Sequence, residues 1–295
     1  MKSNILVTGG TGMVGRHLKE IMPDAIYIGS NIDLRDWIAV DTLFEKIKPI
    51  CVIHLAAKVG GIQENIEKPA EFFDDNILMN THILKASYKH NVKKFTGVLS
   101  TCIYPDIVEN YPMKEKDMFL GPPAKTNFSY GYAKRCLAVQ IEAYNKQYKT
   151  QWNYLTPCNL YSELDNFENG KKMHFKTALL KKIKDSNGLL ELLGTGKPLR
   201  QFMYAGDLAK IIKKVIDEDI TESFNVAPNY NYSINEMANM ALDSINKKCE
   251  IVYSNPKLDG QYRKDVSSEK LKEIVGDFEF TDLQKGMKKV YDKIS

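Results

Sequence analysis

Short runs of apolar residues alternate along the first half of the chain with longer stretches whose apolar positions recur at helical spacing. The runs are Ile5-Leu6-Val7, Ala25-Ile26-Tyr27-Ile28, Cys51-Val52-Ile53-His54-Leu55, Phe95-Thr96-Gly97-Val98-Leu99 and Trp152-Asn153-Tyr154-Leu155. Pro69 to Tyr88 and Tyr130 to Tyr148 carry the clearest helical patterns between them. A strand that is apolar on both faces must be covered on both, and intervening helices supply that cover. The pattern therefore predicts an α/β fold with a parallel sheet wound on both sides through right-handed crossovers.

The regularity weakens after about Tyr161. Ser162 to Lys172 is polar and contains Gly170, so a loop is expected there. Beyond Asn229 the sequence predicts a helix over Ser233 to Lys247, a strand over Glu250 to Tyr253 and a closing helix over Thr281 to Lys293. The expected organisation is a doubly wound Rossmann sheet from residues 1–161, with a return near 203–228. A smaller C-terminal substrate-binding lobe takes residues 162–202 and 229–295. There is no internal repeat and no low-complexity segment.

Composition narrows the class of protein. Of 295 residues, 43% are hydrophobic and 26% charged, which is ordinary for a globular chain able to build its own core. The 41 basic and 37 acidic side chains leave a net charge of +4, too small and too scattered for a nucleic-acid partner but compatible with a diphosphate-bearing ligand. Cysteines 51, 102, 136, 158 and 249 show no paired metal-type spacing, so no metal site is expected. Their odd number, with three in apolar runs, points to a reducing compartment. No apolar run reaches the roughly 18 residues of a membrane span. The first strand begins too early to leave room for a signal segment, so a cytoplasmic location is expected.

Gly9, Gly12 and Gly15 follow the first strand at G-x-x-G-x-x-G spacing and open a helix. Glycine at these places permits a tight turn, lets backbone amides approach a pyrophosphate and allows close helix-to-strand packing. The helix N-terminus adds partial positive charge for that anion. The motif thus predicts a nicotinamide dinucleotide held by Gly9, Thr11, Gly12, Met13 and Val14. The second strand ends on Gly29-Ser30-Asn31, which carries neither the acidic residue that would bond NAD ribose hydroxyls nor an arginine for the NADP phosphate. Without a repelling carboxylate, and with Ser30 able to bond a phosphate oxygen, NADPH is expected and NADH stays open. Asp33 and Leu34 are placed beside the adenine; the alternative for Asp33 is a cap on the following helix.

Tyr130 and Lys134 stand four apart, on one face of a helix. A phenol titrates near 10, and a neighbouring ammonium favours its ionised form, so the pair suits proton exchange with a sugar oxygen. Lys134 also reaches for the nicotinamide ribose. Ser100, in the strand end Leu99-Ser100-Thr101-Cys102-Ile103-Tyr104-Pro105, is expected to donate a hydrogen bond to the substrate carbonyl. Ser100 and Thr101 could equally be turn formers.

These segments, taken in order, resemble the GDP-L-fucose synthase family of extended short-chain dehydrogenases/reductases. The resemblance rests on Val7-Thr8-Gly9-Gly10 with Gly15, His54-Leu55-Ala56-Ala57-Lys58-Val59-Gly60-Gly61-Ile62, the Ser100 to Pro105 segment, Tyr130 with Lys134, and Asn159-Leu160-Tyr161. Asp165-Asn166-Phe167, His174 with Ala178-Leu179-Leu180, and Gly194 to Tyr204 running on to Asp207-Leu208-Ala209 extend it over nearly the whole chain. It implies a GDP-linked 4-keto sugar as substrate, NADPH-dependent reduction at carbon 4, and a homodimer built through the two long helices. It further implies that Cys102 and His174 exchange protons at carbons 3 and 5, while Tyr130 protonates the carbon 4 oxygen with support from Lys134 and Ser100. Leu55, Ala56, Ala57, Lys58 and His174 are placed at the cofactor. Val59, Gly60, Asn159, Asn166, Arg200, Arg263 and Lys264 are placed at the substrate, the last three at its diphosphate, which guanidinium suits well.

The chain departs from the family at several points: Thr11 stands where an arginine usually helps hold the NADP phosphate, and Arg135-Cys136 follows the tyrosine motif. Tyr161 runs into Ser162-Glu163 rather than Gly-Pro, and His174 into Phe175-Lys176-Thr177. These changes border the sugar pocket and keep a GDP-4-keto heptose open as substrate. Reduction alone, on a sugar epimerised elsewhere, is the principal alternative, followed by a UDP-sugar 4-epimerase and a non-catalytic cofactor-binding protein on the same fold. A 4,6-dehydratase would need an Asp-Glu pair where Cys102-Ile103 stands.

Overall fold

The computed structural model describes residues 4–165, 175–255, 259 and 261–294, with only the backbone for residues 175–177. Strand β1 (Ile5–Thr8) leads through helix α1 (Met13–Ile21) to β2 (Ile26–Ile28), α2 (Trp37–Ile47) and β3 (Cys51–His54). The chain continues through α3 (Ile62–Glu67), α4 (Pro69–Lys89), β4 (Lys94–Val98), α5 (Phe128–Tyr148) and β5 (Asn153–Pro157). All five apolar runs form strands. Every side chain of β1 and β3 is buried, as a sheet covered on both faces requires.

The next elements are β6 (Asn159–Tyr161), α6 (Phe175–Asp185), β7 (Leu189–Leu193), β8 (Leu199–Arg200), β9 (Phe202–Tyr204), α7 (Ala205–Asp217) and β10 (Phe224–Val226). β10 lies within the expected return of the chain and completes a six-stranded sheet of order β10-β5-β4-β3-β1-β2. All its neighbours pair in parallel. Order reverses at β1, with β2 on one side and β3 on the other, so a crevice opens beyond their carboxyl ends.

The remaining elements are β11 (Tyr232–Ser233), α8 (Ile234–Ser244), β12 (Glu250–Ser254), β13 (Arg263–Lys264), α9 (Glu269–Val275) and α10 (Leu283–Ile294). α8 starts on a capping box, in which Ser233 accepts from the Glu236 amide and Glu236 accepts from the Ser233 amide. Short strands from distant segments build this part of the molecule: β12 pairs with β7, β8 lies between β11 and β13, and β6 pairs with β9. A second apolar core forms here, around Tyr161, Leu180, Ile183, Leu190, Met237, Ala241 and Met287. α9 instead sends Leu271 and Val275 into the larger core beneath the sheet. Helix α6 fills a region where sequence periodicity predicts no element. No helix among the described residues is long and apolar enough to cross a membrane.

Candidate active site

A cavity of about 1190 Å³ runs from the glycine turn, across the carboxyl ends of β1, β3 and β4, to β8 and β13. Pockets for one small ligand rarely exceed about 1,000 Å³, so this space suits two sizeable ligands meeting end to end.

The cofactor end is built by the turn after β1. Gly9 has φ +70°, and a Cβ there would come within 2.8 Å of the Ala56 amide nitrogen. A Cβ on Gly15 would stand 2.5 Å from the Gly9 carbonyl oxygen, so α1 can lie this close to the turn only with glycine. Gly12 caps α1 without any side-chain hydrogen bond, which leaves the first-turn amides available for an anion. These features fit a dinucleotide pyrophosphate. Thr11, Met13, Val14, Ser30, Asp33, Leu34, Leu55, Ala56, Ala57 and Lys58 line the same space.

Strand-end contacts hold this end together. His54 bonds Thr8 Oγ1 through Nδ1 at 2.7 Å and Asn80 Oδ1 through Nε2 at 3.0 Å. Thr8 Oγ1 in turn accepts the Ala56 amide at 3.2 Å. Burial first, then the charge of Lys134, pushes His54 down to about 3, so it stays neutral and ties β1 to β3. Asp33 does not cap α2. That position belongs to Asp36, whose carboxylate accepts the Ile38 and Ala39 amides at 2.8 and 3.3 Å. Asp33 is gripped instead by Arg35, at 2.9 and 2.8 Å, and these hydrogen bonds hold its carboxyl down at about 2. Arg35 also lines the cavity and is absent from the sequence-based set.

Ser100, Cys102, Tyr130 and Lys134 converge deeper in. Ser100 Oγ accepts the Cys102 amide at 3.3 Å and caps the short turn Thr101–Ile103, so it forms the turn and faces the cavity at once. It also bonds the Tyr130 hydroxyl. The expected acidification of Tyr130 by Lys134 is absent. Burial pushes the phenol well up, the charge of Cys102 adds to this, and only Ser100 opposes it. Lys134, 2% exposed, donates to the Val98 carbonyl at 2.8 Å, and burial brings it down to about 8. The correction has a physical reason: in a desolvated pocket the cost of a phenolate outweighs a cation that is hydrogen-bonded elsewhere. A phenol that keeps its proton is the form needed to donate to a ketone oxygen during reduction.

Cys102 is half-buried on the cavity wall, and the Lys264 ammonium donates to its Sγ at 2.8 Å. Lys264 was expected at a diphosphate; the structure puts it on the thiol. Burial raises the Cys102 thiol, but the Lys264 charge, with hydrogen bonds from Lys264, Ser100 and Asn127, reverses the shift and leaves it lowered. Asn127 was missed by sequence reasoning. It occupies the N-cap of α5 without using its side chain to cap, so the amide is left to face the site. The departure at Arg135 also has an account: its guanidinium donates to the carbonyls of Ile103, at 2.8 Å, and Gly121, at 3.0 Å. These bonds fasten the Cys102 turn to α5.

Among the other expected residues, Val59, Gly60, Asn159 and Arg200 line the cavity. Arg200 is partly committed, donating to its neighbour's Leu199 carbonyl at 2.8 Å. Arg263 is not brought to the cavity: it pairs with Asp265 at 2.7 Å and lies over the Tyr111 ring, 4.7 Å from its centroid. Asn166 and His174 lie outside the described residues. Asp259 and Gln261, which sequence reasoning did not single out, also line the cavity. Asp259 clamps Thr195 through its amide and hydroxyl, at 2.6 and 2.7 Å, and Gln261 donates to the carbonyls of Pro105 and Asp106. Among the described residues no cluster of His, Cys, Asp or Glu is arranged to hold a metal ion.

Comparison with known proteins places this geometry. The family model "NAD dependent epimerase/dehydratase family" matches residues 5–227. GDP-L-fucose synthase of Dictyostelium discoideum is 36% identical over 303 residues, covering 97% of this chain and 93% of the relative. The crystal structure of a GDP-L-fucose synthetase from Naegleria fowleri bound to NADP superposes with a TM-score of 0.88 at 34% identity, over 98% of this chain and 92% of that one. A GDP-mannoheptose C4 reductase from Campylobacter jejuni with NADP bound superposes with a TM-score of 0.87 at 26% identity, over 100% and 99%.

Proposed function

Because this chain belongs to the NAD dependent epimerase/dehydratase family, and within it to the GDP-L-fucose synthase family, we propose that it reduces a GDP-linked 4-keto sugar at carbon 4 with NADPH and also epimerises carbons 3 and 5. The observation that carries this reading is the meeting of Ser100, Tyr130, Lys134 and Cys102 in one cavity with the glycine turn. NADPH, when bound, supplies the hydride. Gly9, Thr11, Gly12, Met13, Val14, Ser30 and Lys58 would hold it, with Leu34 and Leu55 packing against its adenosine. Ser100 positions the carbon 4 oxygen, and Tyr130 donates the proton that oxygen needs as negative charge grows on it. Lys134 adds a positive charge beneath the phenol. Arg200 and Asn159 receive the nucleotide-sugar.

The ketone acidifies the hydrogens on carbons 3 and 5, and in this reading Cys102, on the cavity wall, is the base for one face. The test has two parts. Protein mixed with GDP-4-keto-6-deoxymannose and NADPH should consume the reduced-nicotinamide absorbance; no consumption with this or any other GDP-4-keto sugar ends the reading. In deuterated solvent without reductant, label should enter carbon 3 or 5 and be lost in Cys102→Ser. Consumption without label would leave a reductase acting on a sugar epimerised elsewhere.

We infer a homodimer built through the same two long helices. α4 and α5 pack together yet leave Leu78, Tyr88, Val139 and Tyr148 exposed, an apolar surface suited to a second copy of the chain. Light scattering should give twice the chain mass, and Val139→Glu should halve it.

A further inference from the structure

Strand β13 brings Lys264 to the site from 162 positions beyond Cys102. The side chain is buried, with only 7% of its surface exposed. Asp265, the acidic residue next to it, is occupied by Arg263 through Nε at 2.7 Å and Nη2 at 3.0 Å. Among the described residues no carboxylate lies within ion-pair distance of Lys264. A buried ammonium without a carboxylate is costly unless some neighbour supplies negative charge. The Cys102 thiol is the neighbour that can.

The groups facing Cys102 agree. Lys264 comes from β13 and Arg200 from β8, both cationic. Ser100, from the end of β4, and Asn127, from the start of α5, are hydrogen-bonding neutrals. Tyr130, from α5, is the opposing titratable group, and its phenol is itself held protonated partly by the charge on Cys102. The surroundings thus push two neighbouring protons opposite ways: the sulfur's is held less tightly than usual and the phenol's more tightly.

We propose that Lys264 is a positioning residue that keeps Cys102 as a thiolate and aims it into the cavity, making it the base of the epimerisation; the catalytic part rests on the reading above. In the step, the C–H bond beside the ketone breaks and an S–H bond forms on Cys102. The electron pair moves to the ketone oxygen as an enolate, which Ser100 and Tyr130 hold. The carbon regains a proton from solvent on the opposite face, and Cys102 returns its proton to solvent, so no net proton is consumed. Arg263 has an indirect part, since pairing with Asp265 keeps that carboxylate from neutralising Lys264.

The test follows the thiol itself. Alkylation of Cys102 by iodoacetamide, read by peptide mass spectrometry across pH, is compared in the wild-type protein, Lys264→Met and Lys264→Arg, with NADPH binding as the check on folding. Wild type should titrate below the ordinary free-cysteine value of about 8.5. Lys264→Met should titrate at or above that value and react at least about tenfold more slowly at neutral pH, because most of its sulfur is then protonated. Lys264→Arg, which keeps the charge, should restore most of the wild-type profile. A wild-type thiol titrating in the ordinary range overturns the proposal without any variant. So does a Lys264→Met protein that binds NADPH and titrates like wild type. Deuterium exchange separates the two claims: a low-titrating thiol with no label entering the sugar counts against epimerisation and leaves the Lys264–Cys102 pair standing.

Discussion

Two buried lysines face one cavity from opposite walls. Lys134 stands on α5 against the carboxyl edge of the sheet, and Lys264 on β13, in the small sheet of the lobe. Lys134 has a neutral partner, the Val98 carbonyl, and burial brings it down to about 8. Lys264 has a partner that can ionise, the Cys102 thiol, and lends it stabilisation. The same side chain therefore does different work: from the sheet a cation on the helix of Tyr130 is bonded to a backbone carbonyl, and from the lobe a cation reaches a sulfur and loosens its proton. Desolvation sets the first, and pairing sets the second.

The largest expected effect is on the sheet wall. Tyr130→Phe should lower kcat for reduction by about 10³-fold, the range for loss of a positioned acid, while NADPH binding persists. Deuterium exchange in that variant should also fall, because Tyr130 helps hold the enolate, but by much less than reduction, since Cys102 still takes the proton; exchange falling by the same factor would merge the two steps into one unit. Arg200→Ala, on the lobe wall, should raise KM for the GDP-sugar by about 30-fold, as expected for losing charge-assisted hydrogen bonds to a diphosphate, with kcat changed far less.

pH separates the walls next. Lys134 carries its charge below about pH 8 and loses it above, so kcat/KM for reduction should fall toward tenfold per pH unit on the alkaline side. The exchange reaction, which needs the thiolate, should not fall there. Linkage gives the matching sign for stability. The unfolded lysine stays protonated to higher pH than the folded one, so this group disfavours the folded state below pH 8 and ceases to do so as pH rises toward 10.5. The smallest effect is expected from Arg263→Ala. Its guanidinium lies outside the cavity, so KM should change by less than about twofold, as for a partly exposed ion pair, although freeing Asp265 should raise the Cys102 titration slightly.

The parallel sheet was legible because its strands are short, apolar on both faces and separated by helices, a pattern that local physics produces. The glycine turn was legible for a related reason: only glycine fits where a Cβ would strike the backbone of Ala56 or Gly9. Tyr130 and Lys134 were legible as one face of a helix. Their ionisation was not, since it depends on solvent exclusion by residues distant in sequence. Asn127 carried a faint signal, as a cap-type residue three positions before the tyrosine, but that its side chain leaves the cap unmade is a tertiary fact.

The lobe was less legible because most of its strands are two or three residues long and pair across large separations; β12, five residues long, was expected from the sequence. The sequence by itself determined the alternation of strands and helices in the first half of the chain, the dinucleotide turn and the residue types that can move a proton, because each depends on neighbours within a few positions. Tertiary structure alone decided which lysine meets which acid. Arg263 and Lys264 are adjacent and equally basic, yet the pleat of β13 turns one toward Asp265 and Tyr111 and the other toward Cys102. Charge is written in the chain, but its partner is chosen by the fold.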